Sequence, residues 1–386
     1  MKVVFTGAAG GHFYPLIAIA EALDEIVRER RLVSPQLFYF SDKPNDEQTL
    51  FASNLTFVRI PAGKMRRYFS IQNFTGLFVT LHGFFVALFA LFRIYPDVVV
   101  SKGSYVSVPV VLAAHLLRIP IIIHESDAEP GRANILASTR ATRIAIAYDS
   151  SIEFFPIKTR SKIARVGIPI RRQLRVLPTR EEGLASLQLD TTVPTVLVLG
   201  GSQGSVRINE TLVDALAELV PHVNIIHQTG RDHISTVEQR SKVVLTGSQF
   251  SGRYHAFSYL SAEQLRLAAS ASDVIVSRAG ATSISEISLW RKPSILIPIP
   301  ESVSHDQRTN AYAYAHTGAA VVLEEANLTP HVLLSEIKRI GTTPEVARGM
   351  GERAEGFSNP EAARIVAEEI VRIGLSHEPE TPAPVV

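Results

Sequence analysis

Two glycine-rich turns are the segments of this sequence best suited to chemistry. Each follows a β-branched run and precedes a helical pattern; the first lies at 7–12 and ends in His12, and the second lies at 200–204. Backbone N–H groups in such a turn, together with the partial positive charge of a helix N-terminus, bind phosphate-like anions. One turn is weak evidence, but two, one near the start of each half, predict two nucleotide-type domains.

Further polar side chains gather where short apolar runs end. Because open α/β sheets bind ligands at the carboxyl ends of their strands, these segments are candidate sites. They lie at 101–107, 124–127, 277–286 and 305–310. Glu286 falls in the early turns of a predicted helix, where a carboxylate could accept both hydroxyls of a ribose or compensate the helix dipole. Each segment alone is equally consistent with a structural role.

Composition narrows the chemistry. The 386 residues, 46% hydrophobic and 20% charged, predict a globular chain of two domains. The net charge of +2 does not indicate nucleic-acid binding, and the lack of cysteine excludes disulfides, thiolate metal sites and cysteine nucleophiles. Neither metal-ligand spacing on one helix nor a P-loop pattern occurs, so no catalytic metal and no P-loop ATPase are expected. The first residues form a strand pattern rather than a secretion signal, which indicates a cytosolic protein.

Apolar runs alternate with helical patterns along the chain, as in the β-α-β units of parallel sheets. Strands are expected at 2–6, 36–41, 55–60, 97–101, 119–124 and 143–148, and then at 195–200, 223–227, 273–277, 294–298 and 319–323. A hinge is expected near 167–172 and a last helix at 360–373. The segment 376–386 has the composition of a disordered tail.

The stretch at 70–92 lacks Asp, Glu, Lys and Arg and holds six phenylalanines. Upstream, Lys64, Arg66 and Arg67 would attract anionic lipid headgroups, at about 1 kcal/mol each. A helix pair buried on the sheet is the first interpretation. The second is a partly exposed apolar patch that docks on a membrane surface through residues such as Phe74, Phe78 and Phe85. A membrane span is the third, although it would remove the following strand from its domain.

Seven motifs in order resemble those of one enzyme family. They are Gly-Gly-His12-Phe-Tyr-Pro, Ser-Lys-Gly-Ser-Tyr105-Val-Ser-Val-Pro, His124-Glu-Ser-Asp127, Gly167-Ile-Pro-Ile-Arg171, Gly-Gly-Ser-Gln-Gly204, Ser-Arg-Ala-Gly280 and the segment of Gln307. Nearly the whole chain is similar to the glycosyltransferase family 28 enzymes that complete lipid II in peptidoglycan synthesis. The resemblance implies an α/β protein of the GT-B fold, with two Rossmann-like domains whose parallel sheets face each other across a cleft. The domains would span 1–167 and 168–359, with the helix at 360–373 packing back on the first.

The same resemblance implies the substrates and their contacts. UDP-N-acetylglucosamine (UDP-GlcNAc) would bind mainly to the second domain, with Ser202 at its diphosphate, Arg171 beside the nucleotide sugar, Glu286 on the ribose and Gln307 on the GlcNAc hydroxyls. The other donor-binding positions would be Gly10, Gly11, Gln203, Gly204 and Thr282. The acceptor, undecaprenyl-pyrophosphoryl-N-acetylmuramoyl-pentapeptide (lipid I), would meet the first domain near Tyr105, His124 and Asp127.

The implied setting is the cytoplasmic face of the cell membrane, where the protein would be peripheral. Other cell-wall synthesis proteins are potential partners, and neither a cofactor nor nucleic acid is expected. The sequence departs from the family pattern at two places. Ala8 and Ala9 replace a Gly-Thr pair, so a hydroxyl contact at position 9 is not carried over. Asp127 stands where the family commonly has Asn, and a carboxylate there is poorly suited to face a diphosphate.

The expected reaction is an inverting transfer in which the muramoyl 4-hydroxyl attacks the anomeric carbon of GlcNAc. A general base must accept the hydroxyl proton, and His12 and then Glu125 are the candidates. Backbone N–H groups and Arg171 would stabilise the departing UDP. Three alternatives remain open at this point: a UDP-GlcNAc 2-epimerase, a diacylglycerol glycosyltransferase, and an inactive membrane-docking subunit. An epimerase needs no lipid-facing surface, and the stretch at 70–92 counts against it.

Overall fold

The computed structural model describes residues 1–8, 10–64, 71–201, 203–303 and 306–376. Ala9, Arg66, Arg67, Ser202 and almost all of the tail expected at 376–386 lie outside these ranges. Internal contacts divide the chain into two compact units, Met1–Arg171 with Pro360–Val386, and Arg172–Asn359. The first crossing between the units therefore falls at Arg171–Arg172.

The first unit is built on a parallel sheet in the order β3-β2-β1-β4-β5-β6-β7. Its strands are β1 (Lys2–Thr6), β2 (Gln36–Ser41), β3 (Leu55–Arg59), β4 (Val98–Ser101), β5 (Ile121–Glu125), β6 (Arg143–Ile146) and β7 (Ile163–Arg165). The helices that follow them are α1 (Phe13–Glu29), α2 (Glu47–Ala52), α3 (Ile71–Ile94), α4 (Ser107–Leu116) and α5 (Arg132–Ser138). The inner strands are buried on both faces, which is why they read as continuous β-branched runs.

The apolar stretch forms one helix, α3, and not the buried helix pair that the sequence first suggested. Gly76 and Gly83 lie on its inner side, where a Cβ at 83 would collide with the carbonyl oxygen of Pro61. Ala87 and Leu91 continue this side and are buried against α4. The outer side exposes Phe74 (68% exposed), Phe78 (68%), Phe85 (58%), Phe89 (63%) and Phe92 (67%). By length and composition Phe74–Ile94 could also span a bilayer, but its inner side belongs to the core of the first unit.

The second unit is built on a parallel sheet in the order β10-β9-β8-β11-β12-β13. Its strands are β8 (Thr195–Leu199), β9 (Asn224–Gln228), β10 (Tyr254–Phe257), β11 (Val274–Ser277), β12 (Ser294–Leu296) and β13 (Ala320–Val322). Its helices are α6 (Arg172–Arg175), α7 (Arg180–Ser186), α8 (Val206–Leu219), α9 (Ile234–Val244), α10 (Ala262–Ala271), α11 (Ala281–Leu289), α12 (Asp306–Ala315), α13 (Pro330–Gly341) and α14 (Pro344–Arg353).

The last helix, α15 (Ala362–Gly374), returns to the first unit and packs on α1. Its apolar side, which includes Val366 and Ile370, joins the core that α1 forms with the sheet. Arg364 adds an ion pair to Glu29 at 2.7 Å. The first unit is therefore completed by residues from both ends of the chain.

The sequence predicted eleven of the thirteen described strands to within about two residues but missed β7 and β10. These strands are short, with three and four residues, and each lies at an edge of its sheet. The edge strands β3 and β13 each contain a buried residue and were predicted. No residue of β7 or β10 is fully buried, so these two strands lack the apolar run on which strand prediction depends.

Candidate functional site

The first glycine turn is fixed by side chains from the neighbouring strand β2. The hydroxyls of Tyr39 and Ser41 both donate to the carbonyl oxygen of Gly7, each at 2.9 Å. Gly10 has φ +75°, in the left-handed region that favours glycine, and a Cβ there would meet nothing within 4 Å. The turn is thus fixed by β2 at Gly7 and has open space at Gly10. The next residue, Gly11, is exposed and is followed by His12.

His12 ends a single 3-10 turn before α1, and its side chain is partly exposed. Its Nδ1 lies 3.3 Å from the backbone carbonyl oxygen of Lys102, at the end of β4. A carbonyl only accepts, so Nδ1 carries the hydrogen and Nε2 keeps a free lone pair in the neutral ring. Burial, and then the positive charge of Lys102, lower the pKa of His12 to about 4. The imidazole is therefore neutral near pH 7 and able to accept a proton at Nε2.

Glu125, the second candidate base, is buried at the end of β5 and its carboxylate is already occupied. One oxygen accepts the N–H groups of Ser126 and Asp127 at 2.7 and 3.0 Å. The other accepts from the N–H of Gly131 at 3.0 Å and from Nδ2 of Asn134 at 2.9 Å. Burial and then the charge of Asp127 raise the pKa of Glu125 to about 7. With four donors on two oxygens, this carboxylate is suited to holding the loop after β5.

The three residues expected on the acceptor side lie at different depths. Tyr105 donates its hydroxyl to Asp42 at 2.8 Å, and burial followed by this hydrogen bond raises its pKa to about 12. Asp127 is partly exposed on the loop after β5. His124 is fully buried and its Nε2 lies 2.8 Å from the carbonyl oxygen of Gly167, so its ring does not reach the surface of this edge.

Arg171, the last residue of the first unit before the chain enters the second, lies over an aromatic ring. Its guanidinium carbon is 4.1 Å from the centroid of the Tyr14 ring, in the first turn of α1. A cation over a ring face is stabilised by about 0.5–2 kcal/mol, depending on its exposure. The position of Arg171 is thus set by a residue two places after His12.

The second glycine turn depends on the backbone more than on side chains. Gly201 and Gly204 have φ of +89° and +80°, and a Cβ at 204 would collide with the carbonyl oxygen of Thr229. Ser205 caps α8 by accepting the N–H of Ile208 at 3.3 Å. The turn therefore closes tightly on β9 and points into a helix N-terminus, as an anion site requires. Gln203 is exposed in it, and Ser202 lies outside the described residues.

The remaining donor-side candidates lie on two helices of the second unit. Thr282 is in the first turn of α11 and Glu286 in the second, where its side chain is only 8% exposed. Gln307 is in the first turn of α12, and its Oε1 accepts the N–H of Ile299 at 3.2 Å. Both helices follow strands that are adjacent in the sheet, so their first turns lie at the same sheet edge.

Lys102 and Tyr14 lie in segments that the sequence singled out, but no role was predicted for either residue. Lys102 is 2% exposed and directly follows β4, which lies in the sheet between β1, the strand before His12, and β5, the strand of Glu125. A lysine that directly follows the buried strand Val98–Ser101 is the sequence signal that could have drawn attention to it. No group of three or more His, Asp or Glu side chains placed to hold a metal ion occurs within the described ranges.

Comparison with known proteins gives consistent matches along the chain. The glycosyltransferase family 28 N-terminal domain matches residues 3–146, and the glycosyltransferase family 28 C-terminal domain matches residues 195–366. The UDP-N-acetylglucosamine–N-acetylmuramyl-(pentapeptide) pyrophosphoryl-undecaprenol N-acetylglucosamine transferase of Treponema denticola is 32% identical over 378 residues, which are 95% of this chain and 96% of that protein. The protein with the same description from Lachnospira eligens is 35% identical over 342 residues, 88% of this chain and 90% of that protein.

Solved structures agree with this assignment. MurG of Acinetobacter baumannii superposes with a TM-score of 0.71 at 25% identity, over 96% of this chain and all of that one. A UDP-GlcNAc 2-epimerase of Neisseria meningitidis superposes with a TM-score of 0.68 at 14% identity, over 96% of this chain and all of that one, and shows a shared fold only. The fold is therefore GT-B, and the chain belongs to glycosyltransferase family 28, within the family of the MurG N-acetylglucosamine transferases.

Proposed function

We propose that this enzyme transfers N-acetylglucosamine from UDP-GlcNAc to the 4-hydroxyl of lipid I, with inversion at the anomeric carbon, to form lipid II. The observation that carries the proposal is the match, over 95% of the chain, to a relative whose name states this donor and this acceptor. The neutral His12 ring and the backbone-built second turn support it, because they supply a proton acceptor and an anion site.

The donor is assigned to the second unit. The N–H groups of the turn at 200–204 and the N-terminus of α8 are suited to the UDP diphosphate. Arg171, oriented by Tyr14, adds a positive charge for the same group. Glu286 is placed for the ribose hydroxyls and Gln307 for those of GlcNAc, with Thr282 and Gly204 nearby as further donor contacts.

The acceptor is assigned to the edge of the first unit that carries His12. The muramoyl O4 attacks the anomeric carbon while the bond from that carbon to the UDP oxygen breaks, and UDP leaves with the bonding electrons. Nε2 of His12 accepts the proton of the 4-hydroxyl, a step that the Nδ1–H contact to Lys102 prepares by fixing the tautomer. Glu125 is assigned to holding the loop of Asp127 and not to proton transfer.

The phenylalanine side of α3 is assigned to the membrane surface. Its exposed rings follow one another along one side of the helix, and Lys64 is exposed in the preceding segment. Aromatic and apolar side chains enter the headgroup boundary while basic residues contact anionic lipids. The enzyme would then work as a peripheral protein on the cytoplasmic face, where a lipid-linked acceptor is presented.

The test is transfer of labelled GlcNAc from UDP-GlcNAc to a short-chain lipid I analogue, with and without EDTA. We expect β-linked product at equal rates in both conditions. Donor binding without transfer would overturn the acceptor assignment. Loss of activity with EDTA that added Mg²⁺ restores would overturn the proposed stabilisation of UDP by protein groups alone.

Two further assays distinguish this function from a UDP-GlcNAc 2-epimerase and from a diacylglycerol glycosyltransferase. Formation of UDP-ManNAc from UDP-GlcNAc without an acceptor would assign an epimerase. Transfer to diacylglycerol in place of the lipid I analogue would assign a different lipid glycosyltransferase. We expect neither product.

A further inference from the structure

Lys102 is a buried lysine at the end of β4, with a side chain only 2% exposed. Moving an ammonium group out of water is unfavourable by several kcal/mol unless opposite charges and hydrogen bonds compensate it. An uncharged side chain of the same length would avoid that penalty. The charge at this position therefore needs an explanation beyond packing.

Lys102 lies on the loop after β4 and contacts the loops after β1 and β5. Its Nζ donates to the hydroxyl of Ser126, on the loop after β5. Its carbonyl oxygen accepts from Nδ1 of His12, on the loop after β1. Its Cβ lies under the first glycine turn, where a Cβ at Gly7 would come within 3.2 Å of it. Lys102 is thus in direct contact with both loops that flank its own strand.

The charged and titratable groups around Lys102 are of both signs. Glu125 and Asp127 are the carboxylates that act on its charge, and His12 and His124 are the imidazoles on which its own charge acts. The β5 loop brings two carboxylates to an edge that, by the proposed function, must receive a pyrophosphate. Without a buried cation this edge would repel its substrate.

We propose that Lys102 is a positioning residue of the acceptor site, whose ammonium balances the carboxylates of Glu125 and Asp127 beside His12. The proposal rests on the proposed function only for the identity of the acceptor. Its electrostatic part concerns the free protein and is testable without any substrate. Lys102 itself does not touch the reacting atoms.

The first test is the titration of His12 in the full-length protein labelled with 15N-histidine. The His12 signal is assigned by its absence from His12→Gln. The pKa of His12 is about 4 in the native protein, lowered by burial and by Lys102 and raised by Asp127. We expect Lys102→Met to raise this pKa by about one unit and Asp127→Asn to lower it, since removing each charge removes its effect. The double variant should return the pKa toward the native value.

The second test is the acceptor dependence of the transfer reaction. We expect Lys102→Met to raise the KM for the lipid I analogue about tenfold while the Kd for UDP stays within twofold, because UDP is assigned to the second unit. Adding Asp127→Asn should restore most of the acceptor affinity, since a charge imbalance is rescued by removing the opposite charge.

Lys292→Met is the matched control. Lys292 is the corresponding mostly buried lysine of the second unit, where its ammonium donates to the carbonyl oxygens of Ser272 and Ser270 at 2.6 and 3.3 Å. This variant should change neither the His12 titration nor the acceptor KM. Thermal unfolding of every variant shows whether a change in titration or in KM comes from a loss of folded protein.

Two results would overturn the proposal. One is a His12 titration that Lys102→Met and Asp127→Asn leave unchanged or move in the same direction. The other is an acceptor defect of Lys102→Met that Asp127→Asn does not relieve, which would indicate a packing role. If Lys102→Met does not fold, Lys102→Gln, which removes the charge but keeps a donor for the Ser126 hydroxyl, replaces it in both tests. Failure of lipid I transfer in the native enzyme, with the titration shifts present, would overturn the proposed function and leave the charge balance standing.

Discussion

The two units present the same local motif in different chemical surroundings. In the first unit the glycine turn is surrounded by ionisable side chains from adjacent strand ends, namely His12, Lys102, Glu125 and Asp127. In the second unit the turn at 200–204 is closed by backbone contacts with β9 and by the cap of α8. We propose that the shared strand–glycine turn–helix motif binds an anion in both units, and that the neighbouring strand ends of the first unit add proton transfer.

The largest expected effect compares alanine at the two turns. Gly204→Ala places a Cβ against the Thr229 carbonyl oxygen at φ +80°, so we expect UDP affinity to fall at least about 1000-fold or the second unit to unfold. Gly10→Ala has a similar φ but open space, and should lower activity by no more than about tenfold, the equivalent of 1–2 kcal/mol of strain. Calorimetric UDP titration and thermal unfolding measure both.

Gly247→Ala is the control for these glycine variants. Gly247 also has a left-handed φ, +79°, and open space around its Cα, but it lies in the loop after α9. It should lose stability similar to Gly10→Ala with native activity. Equal UDP affinity in Gly204→Ala and the native protein would refute the rigid, backbone-built second turn.

The next effect tests whether proton transfer belongs to the first unit. In His12→Gln the amide can still donate to the Lys102 carbonyl oxygen but cannot act as the base, so kcat should fall about 100- to 1000-fold. UDP affinity should remain within twofold of native. Steady-state kinetics with the lipid I analogue measure this, and the exposed His115→Gln is the control. A near-native kcat with unchanged pH dependence would remove His12 from the reaction.

Each unit contains a buried histidine that should make the free energy of unfolding fall as the pH is lowered. Burial lowers the pKa of His124 in the first unit and of His227 in the second to about 3, from an ordinary 6.5. The unfolded chain therefore binds more protons below pH 6.5, and each histidine removes about 1.4 kcal/mol of stability per pH unit as the pH falls from 6.5 toward 3. Equilibrium urea unfolding from pH 7 to 4 measures the slope.

The variant His227→Gln should reduce that slope for the second unit alone. The exposed His222→Gln is its control and should leave the slope as it is. An unchanged slope in His227→Gln would mean that this ring is protonated in the native state at mildly acidic pH.

The smallest effect concerns the ring that orients Arg171. Tyr14→Leu removes the aromatic face, and we expect the KM for UDP-GlcNAc to rise about three- to tenfold with little change in kcat. Tyr14→Phe keeps the face and should behave as native. If both variants behave alike, the ring is not what positions the guanidinium.

Much of this architecture could be predicted from the sequence because it depends on local pattern. The inner strands are buried on both faces and read as apolar runs, and the glycine turns follow them directly. The strands β7 and β10 could not be predicted, because they are short and contain no fully buried residue. The helix α3 was misjudged because periodicity does not tell whether an apolar surface meets protein or remains exposed.

At the candidate site, the sequence indicated which residue types are present better than it indicated how deeply each side chain is buried. His12 is partly exposed, whereas His124 is fully buried, and the motif His124-Glu125 gives no sign of that difference in burial. No role was predicted for Lys102, because its contacts with the loops after β1 and β5 depend on the order of the strands in the sheet, which the sequence does not show. The roles of the donor and acceptor residues remain predictions for the experiments above.

The return of α15 to the first unit makes the chain's order of synthesis matter. The apolar side of α1 emerges from the ribosome long before the Val366 and Ile370 side chains of α15 that cover it. All of the second unit is translated in between, so it can mature first, while the N-terminal unit waits for its final helix. Nascent chains that stall before residue 362 should therefore expose an apolar groove that chaperones or proteases recognise, which gives the cell a means to discard incomplete enzyme.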